Sequence, residues 1–188
     1  RSKIIDKNFI EFLSNEKLPK SKIHSLYLSE DIPKDDLIGI FESQVLSRHI
    51  DLSARKYKEK GICHYTISSS GHEGNAVFGN IFPLSDMAFL HYRSGAFFLE
   101  RSKKLPGSTP IFDTALSLVA SKDDPISSGR HKVFGSKELN IPPQTSTIAS
   151  HLPKSVGFAF SIDRGRDLKL KENVVNNDSV VLCSFGDA

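Results

Sequence analysis

Cysteine is scarce in this chain. Only Cys63 and Cys183 occur in 188 residues, which provides no paired-cysteine motif and favours a reducing compartment. Cys183, inside an apolar run, is expected to behave as a small buried hydrophobe. Long apolar runs are also missing: none approaches the length needed to cross a bilayer, and the amino end has no secretory h-region. These absences argue for a cytoplasmic protein, or one of the mitochondrial matrix in a eukaryote, with no membrane partner. Charge of one sign is lacking too. Twenty-five Lys and Arg face 22 Asp and Glu, a net +3, and the basic residues are scattered, which argues against nucleic acid as a main partner. The one basic run, Arg55 to Lys60, precedes Gly61 and reads as a solvated helix end. No nucleophile elbow, Walker loop or dinucleotide glycine fingerprint is present, and the seven histidines show no zinc spacing.

What is present suits one globular core, with 38% hydrophobic and 25% charged residues. Apolar spacing predicts a short amphipathic helix over Ile4 to Leu13, ended by Pro19, and a long one from Asp35 to Lys60 between Pro33 and Gly61. In the long helix Leu37, Ile40, Phe41, Val45, Leu46, Ile50 and Leu52 form the expected apolar set. A Ser/Gly-rich turn at Ser68 to Gly74, with Glu73 near a helix start, leads into Ala76-Val77-Phe78-Gly79. A strand-like run, Phe89 to Arg93, feeds a helix near Ala96 to Arg101, and Phe112 to Ala120 reads as another helix. Ser127 to Pro143 shows little regular pattern, a length that is usually functional or mobile. Thr145 to Ser161 is expected to form a closely packed buried helix, begun or interrupted at Pro153. Asp163 to Asp178 reads as a surface loop before a strand at Val180 to Phe185. Strands separated by helices predict an α/β fold with a doubly wound, mostly parallel sheet. Residues 1–32 read as an amino-terminal helical extension and 33–188 as the α/β domain.

Four groups could carry chemistry. The apolar strand delivers Gly186-Asp187-Ala188, a turn able to present backbone amides and a carboxylate to a phosphate and its Mg²⁺. One carboxylate does not complete an octahedral site, so further ligands are expected in a longer chain. Tyr92-Arg93 at the end of a strand-like run can clamp a phosphate; alternatively Arg93 pairs with a surface carboxylate and Tyr92 fills a groove. His91 and His131 are candidates for acid-base or substrate-orienting roles, whereas His151 suits a hydrogen-bonded core position. The hydroxyls Thr145, Ser146, Thr147 and Ser150 open the expected buried helix and could hold an anion or a monovalent cation.

In order and spacing, five segments resemble the alpha-type subunit of thiamine-diphosphate-dependent 2-oxo acid dehydrogenases, closest to the branched-chain, 2-oxoisovalerate members. They are His91-Tyr92-Arg93, Asp124 to Arg130, Gly135 to Leu139, Ser146 through Leu152-Pro153 to Gly157, and Phe185 to Ala188. The resemblance implies that 33–188 is the amino-terminal part of the diphosphate-binding domain, truncated after the strand leading to the Gly-Asp turn. It implies that Tyr92 and Arg93 bind the cofactor's diphosphate, that Ser146 and Ile148 line the cofactor, and that Gly186, Asp187 and Ala188 open the thiamine motif with Asp187 on Mg²⁺. A K⁺ ion near Thr145, Thr147 and Ser150 is implied in some relatives, but His151 stands where those carry glutamine. The implied activity is oxidative decarboxylation of a 2-oxo acid, with acyl transfer to a lipoyl group of a multienzyme complex. The implied partners are a beta-type subunit or fused beta half, which carries the aminopyrimidine-activating carboxylate, and the lipoyl domain of the acyltransferase component. This stretch alone is then expected to be inactive. Pyruvate or acetoin is the alternative substrate, and a non-catalytic phosphate-binding scaffold is the alternative of another class.

Overall fold

Pro33 and Gly61 bracket the longest helix of the chain, as their backbone preferences require. In the computed structural model, which describes residues 2–16, 32–63, 67–170, 176 and 178–186, helix α2 spans Lys34–Glu59. Asp35 and Asp36 lie in its first turn and Lys56 and Lys58 in its last, so each end carries the charge that the helix dipole favours. Gly61 at φ 70° closes it: the Gly61 N–H donates to Lys58 O and the Ile62 N–H to Tyr57 O, both at 2.9 Å. That is the paired geometry of a glycine-terminated helix.

The chain divides into two compact units, Arg1–Lys34 and Asp35–Ala188. In the first, α1 (Ser2–Asn15) is two residues longer at each end than the apolar spacing suggested. A Lys7–Glu11 pair at 3.5 Å adds to it one turn apart, while Ile5, Ile10 and Leu13 stay largely exposed. Helix α1 ends at Asn15, followed by Glu16 at φ 53°; Pro19, the expected terminator, lies outside the described residues.

In the second unit a single 3₁₀ turn, Glu73–Asn75, leads into α3 (Ala76–Ile81), followed by β1 (Met87–Phe89), α4 (Gly95–Ser102), α5 (Pro110–Leu118), α6 (Leu152–Asp167) and β2 (Val181–Cys183). The strands pair in parallel, Met87 with Val181, Ala88 with Leu182 and Phe89 with Cys183. The architecture is therefore a helix-rich α/β arrangement around a small parallel sheet. Its core joins Ala88 and Leu90 of the β1 run, Phe97 and Phe98 of α4, and Phe134, Leu139 and Ile141 from the irregular segment.

Every residue of α4 is buried, including two charged ones. Burial is tolerable because both are satisfied. The Glu100 carboxylate accepts from Ser43 Oγ at 2.7 Å and Asn80 Nδ2 at 3.1 Å. Arg101 donates to the carbonyls of Leu139 (2.8 Å), Phe82 (3.3 Å), Asp86 (2.5 Å) and Leu84 (3.5 Å), tying two segments to one guanidinium.

Several expectations change. The buried stripe of α2 is Ser43, Ser47, Asp51 and Ala54, while Phe41 of the expected apolar set is exposed. Small side chains let α2 approach closely: a Cβ on Gly95 would meet Ser69 Oγ at 2.6 Å and Ser47 Oγ at 3.1 Å. The helix expected over Thr145 to Ser161 starts at Leu152 and continues to Asp167, into the stretch read as loop, because Pro153 suits the first turn and nothing breaks the helix until Leu168. It is not buried: only Ser155, Ile162 and Gly165 are, and Val156 and Phe160 are exposed. Cys183 is half-buried and Cys63 is the buried cysteine, its thiol donating to Ala54 O at 3.3 Å. The segment 127–143 lacks helix and strand, as read, but Val133, Phe134, Leu139 and Ile141 are buried and a Ser136–Ile141 bridge closes a turn within it. Asp124 fastens its start, accepting from the N–H groups of Ile126, Ser127 and Gly129 and from Ser127 Oγ. Burial pushes the Asp124 carboxyl up, but these bonds outweigh it and hold the group below its usual range.

Candidate functional site

Because β1 and β2 are parallel neighbours, the residues that follow them leave the sheet at the same end. In open α/β sheets that end is where ligands bind. After β1 come Leu90 to Ser94, and after β2 Ser184 to Gly186. The pairing continues one step, with Ser184 N–H on Phe89 O at 2.9 Å, and Ser94 Oγ lies 3.4 Å from Ser184 Oγ. A Cβ built on Gly186 would sit 2.9 Å from His91 Nε2, so glycine is what lets this backbone approach the ring. Gly186 thus lies against His91, the residue that Tyr92 and Arg93 follow in the chain. Asp187 and Ala188 lie outside the described residues.

His91 is buried, 3% exposed. Its Nδ1 accepts from the Arg93 N–H at 3.3 Å, which places the proton on Nε2, and that atom has no partner among the described residues. Burial, with smaller contributions from His72, Arg93 and His151, pulls its pKa down to about 4. The ring stacks on His72 at 5.5 Å between centroids and lies 3.9 Å from Tyr92. At neutral pH such a histidine is an uncharged hydrogen-bond donor, suited to orienting an acceptor more than to carrying protons.

Arg93 is half-buried. Its Nη1 donates to Ser68 O and its guanidinium lies 5.2 Å from the Tyr92 ring centroid. Among the described residues it forms no ion pair, so the alternative of a surface carboxylate partner is not what is seen there. Ser68 is held from α2: Asp51 accepts from Ser68 Oγ at 2.7 Å and from Ser69 N–H at 3.1 Å. Burial raises the Asp51 carboxyl's pKa, against those bonds and the charges of Lys132 and Arg48. Arg48 pairs with Glu73 and donates to Ser70 Oγ at 2.5 Å, so Glu73 is fixed by an arginine besides accepting from Gly71 N–H at 2.8 Å.

His151 occupies the core position anticipated for it, 2% exposed, with Nε2 on Ser184 O at 2.7 Å. It joins the start of α6 to the end of β2. Ser146 donates its N–H to His131 Nε2 at 3.3 Å, and both residues line a cleft of about 450 Å³. Ile148 is largely exposed. No described contact joins Ser146 or Ile148 directly to Tyr92 or Arg93. Thr145, Thr147 and Ser150 lie in the irregular stretch ahead of α6 and do not cap it, so the hydroxyl cluster precedes the helix instead of opening it. A larger cleft of about 810 Å³, between α5 and residues 135–143, contains none of the sequence-predicted site residues. Among the described residues no three His, Cys, Asp or Glu side chains cluster as metal ligands, and no helix is long and apolar enough to cross a membrane.

Sequence reasoning missed Asp51, Ser68 and Lys132. The Ser43/Ser47/Asp51 spacing was a legible signal for the first of these, since small and polar residues one helical turn apart mark a closely packed face.

No protein-family model matches the chain. It is similar to the mitochondrial 2-oxoisovalerate dehydrogenase subunit alpha of Homo sapiens, Pan troglodytes and Macaca fascicularis, 24% identical over 164 residues in each case. The matched region covers 85% of this chain and 33% of each relative, so the chain spans about a third of the length of the curated relatives it matches.

Proposed function

We propose that this chain is the part of an alpha-type 2-oxo acid dehydrogenase component that grips thiamine diphosphate, with a branched-chain 2-oxo acid as substrate. The observation that supports the reading is the approach of the Gly186 backbone to the His91 ring at the carboxyl ends of the paired strands β1 and β2, with Tyr92 and Arg93 next to His91 in the chain. The residues present fit a diphosphate. Among the described residues His91 Nε2 is a buried donor without a partner and Arg93 faces no carboxylate, and Gly186 brings its backbone against the His91 ring. Tyr92 and Arg93 would hold the diphosphate, His91 would orient it, and Ser146 and Ile148 would line the cofactor. Asp187 would take Mg²⁺. The replacement of glutamine by His151, whose Nε2 is already engaged by Ser184 O, speaks against K⁺ in this chain. When bound, thiamine diphosphate supplies the nucleophile and electron sink for decarboxylation. A beta-type subunit or fused beta half and a lipoyl domain would complete the cycle, and the sheet would be one part of a doubly wound thiamine-diphosphate fold.

The test is calorimetric titration of thiamine diphosphate with Mg²⁺ into the full-length protein and its Arg93→Ala variant. Losing a desolvated charge-assisted contact should weaken binding by about 2–4 kcal/mol. Equal affinities would remove Arg93 from the site. Decarboxylation of 2-oxoisovalerate against pyruvate then decides the substrate.

A further inference from the structure

We propose that Asp51 of α2 is a positioning residue for Arg93, holding the guanidinium ready for a diphosphate through the Ser68-Ser69 turn. The inference rests on the reading above that Arg93 grips a diphosphate, and adds the residue that sets its geometry. Asp51 itself faces inward. With Ser69, Gly95 and Lys132 it lines an internal void of about 10 Å³, at most the room for one water, so it acts only through the groups it touches.

Its two carboxylate oxygens serve two routes to the stretch that carries Arg93. Oδ2 accepts from Ser68 Oγ at 2.7 Å, and Ser68 O in turn accepts from Arg93 Nη1. Oδ1 accepts from the Ser69 N–H at 3.1 Å, and Ser69 Oγ accepts from the Gly95 N–H at 3.2 Å. That last bond satisfies the start of α4 from outside, because its own N-cap, Ser94, makes no side-chain cap bond. The Arg93 side chain and the backbone two residues on are thus both tied to residues that one buried carboxylate holds. Arg48, one turn earlier on α2, holds the following residues instead, donating to Ser70 Oγ and pairing with Glu73. Lys132 holds the preceding carbonyl, Ile67 O, at 3.4 Å. Of these three, Asp51 is the one bonded to the residues that hold Arg93 and Gly95.

An arginine already pinned to a carbonyl loses less conformational freedom when an anion arrives, and among the described residues its other donors make no hydrogen bond. The direction of the effect separates positioning from electrostatics. Removing a carboxylate near the guanidinium would by itself strengthen anion binding, whereas removing a positioning residue weakens it.

The experiment titrates thiamine diphosphate, and in parallel inorganic pyrophosphate, each with Mg²⁺, into the full-length protein by calorimetry. Asp51→Ala should weaken both about tenfold. In an Arg93→Ala background the same substitution should change affinity by less than about twofold, since it acts through the missing side chain. Asp51→Asn, whose amide can meet both the Ser69 N–H and Ser68 Oγ, should bind within about threefold of the wild type. Affinity in Asp51→Ala equal to or above that of the wild type, or a loss that persists at full size without Arg93, overturns the proposal. Should Asp51→Ala fail to fold, Ser68→Ala takes its place: wild-type affinity overturns the proposal, and a loss that vanishes without Arg93 upholds it. Pyrophosphate binding that needs both Asp51 and Arg93, in a protein with no affinity for thiamine diphosphate, keeps the positioning role and sinks the functional reading. Thiamine diphosphate binding that needs Arg93 but not Asp51 does the reverse.

Discussion

Stacked on His72 and pressed against Gly186, His91 resists protonation until about pH 4, whereas an unfolded histidine titrates near 6.5. Between those values the unfolded chain holds the extra proton and the native one does not. Stability is therefore complete above about pH 6.5 and declines as pH falls toward 4. Urea unfolding of the wild type from pH 7.5 down to 4.5 should show that decline, and His91→Gln should flatten it. A decline of equal slope in the variant would mean that other groups titrate. The same ring explains why the glycine matters. Gly186→Ala places a methyl 2.9 Å from buried His91 Nε2, so the ring or the bend must move, and cofactor affinity should fall even where the melting temperature does not.

The lock between α3 and α4 shows what one element contributes. A Cβ on Gly79 would lie 2.7 Å from Phe97 O and 3.2 Å from Arg101 N, both backbone atoms that cannot swing aside. Gly79→Ala is expected to cost about 1–3 kcal/mol in denaturant unfolding. Arg101→Met should cost about 3 kcal/mol or more, since it takes the guanidinium from the carbonyls of Leu139 and Asp86, while Phe82 O keeps Lys104 and Leu84 O keeps Asn140. If Arg101→Met unfolded like the wild type, those carbonyls would have found water. Neither role was visible in sequence, because Gly79 reads as an ordinary helix residue and Arg101 as a charged helix end. The ends of α2 and α5 were legible within a residue or two, since Pro, Gly and charge act locally there. Which face of α2 is buried was not. Periodicity marked the apolar residues, but α4 meets α2 at the small residues Ser43 and Ser47, so tertiary approach overrides hydropathy. The extent of α6 failed for a related reason: polar composition at Asp163 to Asp167 reads as loop, yet nothing in it breaks a helix. At the site, Tyr92-Arg93 and Gly186 were noticed as motifs, whereas Asp51 became noticeable only once folding set its carboxylate on Ser68 and Ser69.

Across the molecule, apolar side chains are left facing outward in a pattern that a two-stranded sheet and its helices do not absorb. Val156 and Phe160 stand one turn apart on the outer face of α6, 70% and 69% exposed, while the inner face buries Ser155, Ile162 and Gly165. Phe185, at the site end of β2, is 55% exposed. Scattered exposed hydrophobes need no explanation, but two large ones aligned on a helix whose other face is already packed are the residues at which to test a partner contact. The beta-type subunit proposed as partner is the occupant that the functional reading supplies. Phe160→Asp separates that use from a folding role. A side chain so exposed contributes little to the native state, so unfolding free energy should change by no more than about 0.5 kcal/mol. Burying the new carboxylate at an interface would instead carry a desolvation cost of several kcal/mol. Co-purification with a co-expressed beta-type subunit should then be lost while the circular dichroism melt stays in place. A variant that still co-purifies would show that the α6 face is not the contact, and one that fails to fold would show that Phe160 packs more deeply than its exposure indicates.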